Sequence, residues 1–140
     1  MERILALDVG NKRIGVAVSD ALGLTAQGVT VIHRRSLAHD LAEIGQLLTK
    51  YQTKRVVVGL PKNLNGTIGP QAELARQFAE SLQEAHEVEV IWQDERLTTA
   101  AAERTLLSGD ASRHKRKQVI DMLAAQMILE TYLARRKVSR

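Results

Sequence analysis

The 140-residue sequence has no cysteine, two prolines and only 3% aromatic residues. Without thiols there can be no disulfide and no thiolate metal site, so packing must supply the stability, and a reducing compartment is the natural setting. No apolar run approaches the ~20 residues that span a bilayer. The N-terminus enters a strand-like pattern rather than a charged-then-apolar leader, so the expectation is a cytoplasmic protein. One Trp, two Tyr and one Phe are too few for a base-stacking platform of the kind used to grip single-stranded nucleic acid. The excess of positive charge is small, +4; it leans towards a polyanionic partner but decides nothing alone. With 44% hydrophobic and 26% charged residues, one domain with a true core is expected over residues 1–136, followed by a frayed tail at 137–140.

No internal repeat breaks the chain. "RILALDV" and "RIGVAVS" are short runs of branched apolar residues separated by "GNK", which reads as a hairpin turning at Gly10 and Asn11. After "DALGLTAQ" a third run, "GVTVIHR", completes an antiparallel meander. The period then changes: Leu37, Leu41, Ile44, Leu47, Leu48 and Tyr51 recur at helical spacing, with Asp40 and Glu43 on the opposite face. "KRVVVGLP" reads as a strand buried on both faces. "PKNLNGTIGP", bounded by the two prolines, leads into a helix through Ala75, Phe78, Ala79 and Leu82; Gly66 and Gly69 allow a shaped loop there, and Pro70 can equally be a first helical residue. "EVEVIWQDE" is the fifth strand. A helix capped by Thr98 or Thr99 runs to Ser108-Gly109. The basic loop "SRHKRK" then precedes a last helix with the inner stripe Ile120, Leu123, Ala124, Met127 and Ile128. The order β-β-β-α-β-α-β-α-α predicts an α/β fold whose later strands run parallel to the first.

A carboxylate inside an apolar strand is costly unless a cation compensates it. Asp8, in the middle of "LALDVG", poses that problem. Glu95 ends the fifth strand, and Asp121 lies in the first turns of the last helix, where Ala124 and Ala125 would let that helix approach the sheet. Right-handed crossovers bring the ends of strands one and five to the same edge. Acids that converge there would repel one another, and a hard divalent cation such as Mg²⁺ would relieve the repulsion through oxygen ligation. Two such ions about 4 Å apart can support phosphodiester hydrolysis. Each acid also has a plainer role: Asp8 a turn cap, Asp121 a partner of the helix dipole, Asp94 a cap or a partner of Arg96. Asp94 and Glu95 point to opposite faces, so at most one can serve the site.

Arg113, His114, Lys115, Arg116 and Lys117 are either a solvated charge run or a sequence-independent clamp on a nucleic-acid backbone, joined by Lys12 and Arg13 of the hairpin. His33, His39 and His86 have no zinc spacing and read as structural or surface groups. Ser19, Ser36, Ser81 and Ser108 lack the context of an activated nucleophile.

Taken together, "ALDVGNKRIGVAVSD", "TAQGV", "VVVGLPKNLNGTIGPQAE", "DERLTT" and "KRKQVIDMLAAQMIL" closely resemble, in order and spacing, the YqgF family of Holliday junction resolvase-like proteins, also described as pre-16S ribosomal RNA nucleases. The resemblance covers nearly the whole chain. It implies a ribonuclease H-like fold with a five-stranded mixed sheet flanked by helices, and a metal-dependent nuclease using Mg²⁺ or Mn²⁺ that trims the 5′ end of precursor 16S ribosomal RNA. By the family pattern the acidic triad is Asp8, Glu95 and Asp121. Asn11 stands where threonine is frequent and Ile68 where a polar residue is frequent; neither departure falls on one of the acidic positions. The nearest variant is a resolvase cutting branched DNA. A different class is a non-catalytic module binding nucleic acid or the ribosome, which would need the basic residues but not the acids. The N-terminal motif also resembles the phosphate loop of actin-like ATPases, but that fold needs two lobes and this chain is too short for both. The protomer is expected to act as a monomer or weak dimer.

Overall fold

The computed structural model describes residues 3–60, 69–94 and 113–138, and in the last of these segments the side chains of 119–136. Five strands form one sheet in the order β3-β2-β1-β4-β5. β1 (Leu5–Val9), β2 (Arg13–Ser19) and β3 (Ala26–His33) are the antiparallel meander, while β4 (Arg55–Leu60) and β5 (Glu89–Asp94) run parallel to β1. α1 (Leu37–Lys50), α2 (Pro70–His86) and α3 (Arg113–Val138) complete the described elements.

Alternation along β1 sorts the core into two. Leu5, Leu7 and Val9 point to the face covered by α1 and α2, packing with Val56, Val58, Ile44, Phe78 and Leu82. Ile4 and Ala6 point to the other face, packing with Ala17, Val57, Ala125, Ile128 and Leu129 under α3. β4 carries Val56, Val57 and Val58 at 0% exposure, as a strand covered on both sides must. α1 starts at Ser36, whose hydroxyl accepts the His39 amide. α2 starts with Pro70 at its first turn and ends at Glu87 in the left-handed region, φ 53°, where the chain leaves the helix for β5.

Several expectations need correction. The segment read as a basic loop is helical: α3 begins at Arg113, because Arg, Lys and Gln favour the helix and no glycine or proline interrupts the chain up to Val138. Asp121 therefore lies about two turns inside α3, too deep to serve chiefly as a dipole partner. α3 runs through residues 137 and 138. Its buried line is Ala124, Ala125, Ile128, Leu129 and Leu133; Ile120, Leu123 and Met127 are only half-buried, since the tight contact runs along the small residues. Asp40, placed on the solvent face of α1, is 1% exposed. The helix expected between Thr98 and Gly109, and most of the Pro61–Pro70 loop, lie outside the described residues.

Candidate active site

Asp8 follows Ile4 and Ala6 in the two-residue alternation, so its side chain belongs to the α3 face of β1. It is partly buried. After Val9 the chain turns sharply, the Gly10 amide donating to the Arg13 carbonyl at 2.9 Å. A Cβ on residue 10 would lie 2.9 Å from that same oxygen, so the close approach itself calls for glycine.

The returning strand places Gly15 directly opposite Asp8. At Gly15 α3 lies close: a Cβ there would fall 2.0 Å from the Asp121 carbonyl oxygen. One strand further out, a Cβ on Gly28 would meet Met122 Cγ at 2.6 Å, and the Gly28 amide donates to Gln126 Oε1 at 3.2 Å. Missing side chains on β2 and β3 thus let the helix backbone rest on the sheet. As a result Asp121 reaches the strand pair that carries Asp8, although the two are remote in sequence.

The Asp121 carboxylate is met by the Arg13 guanidinium, with Nε 2.5 Å from Oδ2 and the two side chains 27% and 22% exposed. Arg13 is thus a cation for the acidic corner, supplied by the residue that starts β2. Asp8 is engaged as well. Carboxylate oxygens without thiols or clustered imidazoles are a hard donor set, the kind that suits Mg²⁺ or Mn²⁺, and a metal there would take the place of the Arg13 guanidinium on Asp121.

The C-terminal ends of β1, β4 and β5 share one edge, as the pairs Leu7–Val58, Gly59–Gln93 and Leu60–Asp94 show. Gln93 is buried there, its Oε1 accepting from Arg135 Nη1 at 2.8 Å. Asp94, half-buried, is the last residue of β5. Glu95 lies outside the described residues, and so do the side chains of Arg113, Lys115, Arg116 and Lys117. Asp8, Arg13 and Asp121 are therefore the expected site residues seen together, with exposed Lys12 on the same turn. Among the described residues no three His, Cys, Asp or Glu side chains converge on a metal position. His86 Nε2 pairs with the Leu41 carbonyl at 2.8 Å and His39 with Asp40, both structural uses.

Sequence reasoning missed the pair beneath the turn. Asp40 is held by Arg34 Nε at 3.0 Å, the Arg35 amide at 3.2 Å and His39 Nδ1 at 3.0 Å. Burial alone would raise its carboxyl pKa; the hydrogen bonds from His39, Arg34 and Arg35 outweigh it and hold the group below the ordinary aspartate value. A signal was present in the spacing, because Asp40, Ile44 and Leu48 form one i, i+4, i+8 line, and that line is the buried one.

Residues 2–135 match the family described as RuvX, Holliday junction resolvase. The chain is 56% identical over 133 residues to a Moorella thermoacetica protein named "Putative pre-16S rRNA nuclease", covering 95% of each chain. A protein of the same name from Carboxydothermus hydrogenoformans is 54% identical over 131 residues, covering 94% of this chain and 95% of the relative. In structure the chain is similar to T. thermophilus RuvC bound to a Holliday junction, with a TM-score of 0.55 at 15% identity over 97% of this chain and 96% of the other. At that identity the likeness speaks for the fold, which is the ribonuclease H-like one expected.

Proposed function

The chain belongs to the RuvX, Holliday junction resolvase, family, and from that membership we propose that it is a metal-dependent endonuclease that processes the 5′ end of precursor 16S ribosomal RNA in the cytoplasm. That it is a hydrolase of phosphodiester bonds follows from the family; the RNA substrate is carried over from the names of its relatives. The observation that carries the reading is the contact of the Asp121 backbone with Gly15, the cross-strand partner of Asp8. It supports the reading because it sets the backbone of one acid against the cross-strand partner of another, from opposite ends of the chain.

In this reading Asp8, Glu95 and Asp121 hold one or two Mg²⁺ or Mn²⁺ ions, which when bound supply an activated water and neutralise charge at the phosphorus. Asp8 contributes from a strand and Asp121 from a helix pressed on the sheet, so the backbone positions of both are fixed in advance and only the Arg13 side chain has to move. Arg13 exchanges its hold on Asp121 for a phosphate of the substrate. Lys12, Arg113, Lys115, Arg116 and Lys117 hold the backbone on either side, independent of sequence. The partner is thus RNA, within or beside the assembling ribosome, met by a monomer or weak dimer.

The test compares wild type and Asp8→Asn on a 5′-extended 16S precursor RNA and on a four-way DNA junction with Mg²⁺. Cleavage of the RNA that falls on the order of 10³-fold in the variant is the expected result. Equal cleavage by both would reject the site. Preference for the junction would move the assignment to a resolvase, and binding without hydrolysis of either would leave only the non-catalytic module.

A further inference from the structure

We infer that Arg34, anchored by the buried carboxylate of Asp40, is a positioning residue: it fixes the turn between β1 and β2 and so the direction in which Asp8 and Arg13 are presented. This rests on the reading above that both belong to the active site. Arg34 grips the turn twice. Its amide donates to the Lys12 carbonyl at 2.9 Å, and its Nη1 donates to the Gly10 carbonyl at 3.0 Å. On the other side its Nε donates to Asp40 Oδ2 at 3.0 Å, and the guanidinium lies 5.2 Å from the ring centre of Phe78 on α2. One side chain therefore ties the hairpin to both helices of the opposite layer.

The chemistry argues for geometry over stability. Asp40 is 1% exposed, and an apolar pair of similar volume commonly stabilises a fold at least as well as a buried ion pair. Apolar residues could not donate to the backbone oxygen of Gly10 while holding a fixed bearing on α1 and α2. Asn11 and Lys12 are exposed, so the tip has little packing to hold it. Asp8 and Arg13 flank this turn within a few residues on each side, and an error of about 1 Å in such groups can cost on the order of 10²-fold in rate. Asp40 acts one step further back: its oxygens also accept from Arg35 and His39, which leaves the carboxylate one orientation and Arg34 one place.

The test uses the full chain with Arg34→Met, which keeps an apolar stem over Phe78, with Arg34→Lys, and with Asp40→Asn, which keeps the volume. Amide exchange is read by NMR and cleavage by steady-state kinetics on the precursor RNA. In Arg34→Met the Gly10 amide is expected to exchange about tenfold faster while Leu7 and Val57 are unchanged. Turnover should fall between about tenfold and 10²-fold with KM held within about twofold, and Arg34→Lys should recover part of both. Asp40→Asn should move the same two quantities in the same direction, and it decides the matter if Arg34→Met does not fold. Unchanged Gly10 exchange in a folded variant overturns the tether, and faster exchange with unchanged turnover overturns its positioning role. Should wild type cut no RNA, the functional reading fails separately, and Gly10 exchange alone still decides whether Arg34 holds the turn.

Discussion

The two faces of the sheet differ in the size of the side chains they bury. Under α1 and α2 the strands present Leu5, Leu7, Val9, Ile14, Val56 and Val58, large groups that remove much apolar surface from water. Under α3 they present Ile4 and Val57 but also Ala6, Ala17, Gly15 and Gly28, and the helix answers with Ala124 and Ala125 beside Ile128 and Leu129. Small residues give up hydrophobic stabilisation there in return for proximity. The first face holds the sheet rigid; the second lowers a helix backbone onto it until Asp121 meets the strands of Asp8 and Arg13. In the proposed function the chemistry belongs to the second of these faces, while both contribute apolar core.

Substitutions on the two faces should therefore fail in different ways. The largest contrast is between neighbours on β1. Leu7→Ala should cost about 2–5 kcal/mol of unfolding free energy in urea titrations, while the protein that remains folded keeps its turnover. Asp8→Asn should do the reverse, losing cleavage with a near-normal unfolding midpoint. Next comes Gly15→Ala, which sets a methyl against the immovable Asp121 carbonyl. It should destabilise by about 3 kcal/mol and reduce cleavage, whereas Gly28→Ala, which meets the flexible side chains of Met122 and Gln126, should cost about 1 kcal/mol. Equal effects at the two glycines would show that closeness at Asp121 has no special importance.

A smaller effect belongs to Asp40 and comes with a pH signature. Its carboxyl titrates lower in the folded protein than in the unfolded chain, so its contribution is complete above about pH 4 and is lost as the pH falls through the lower native value. Asp40→Asn should cost about 2 kcal/mol at neutral pH, and thermal unfolding from pH 7 to 3 should show the gap to wild type closing in acid. A gap that widens on acidification would contradict the ion pair.

Much of this architecture was legible because it is local. The two-residue period of β1 and β2, the all-apolar β4 and the Ala75, Phe78, Ala79 and Leu82 stripe each announce their element and its buried face. Asp8 was legible as an acid where the period demands an apolar residue, and Ala124 with Ala125 marked the close approach of α3. Asp40 was misplaced because amphipathic patterning sends charge to solvent, and its partner, Arg34, lies off the helix. The start of α3 was misjudged because a run of cations is equally at home in a loop or an exposed helical turn. The Arg13–Asp121 pair joins residues 108 positions apart, a distance over which no pattern in one sequence speaks. Glu95 enters as a site residue through its place at a strand end and through family resemblance.

The most direct test is a crystal grown from the full chain, soaked in Mn²⁺ and measured at a wavelength where manganese scatters anomalously. An ion bound jointly by oxygens of Asp8, Glu95 and Asp121, with Arg13 released from Asp121, is the predicted result. An Asp121 still clasped by Arg13, with manganese absent from that corner of the sheet, would contradict it.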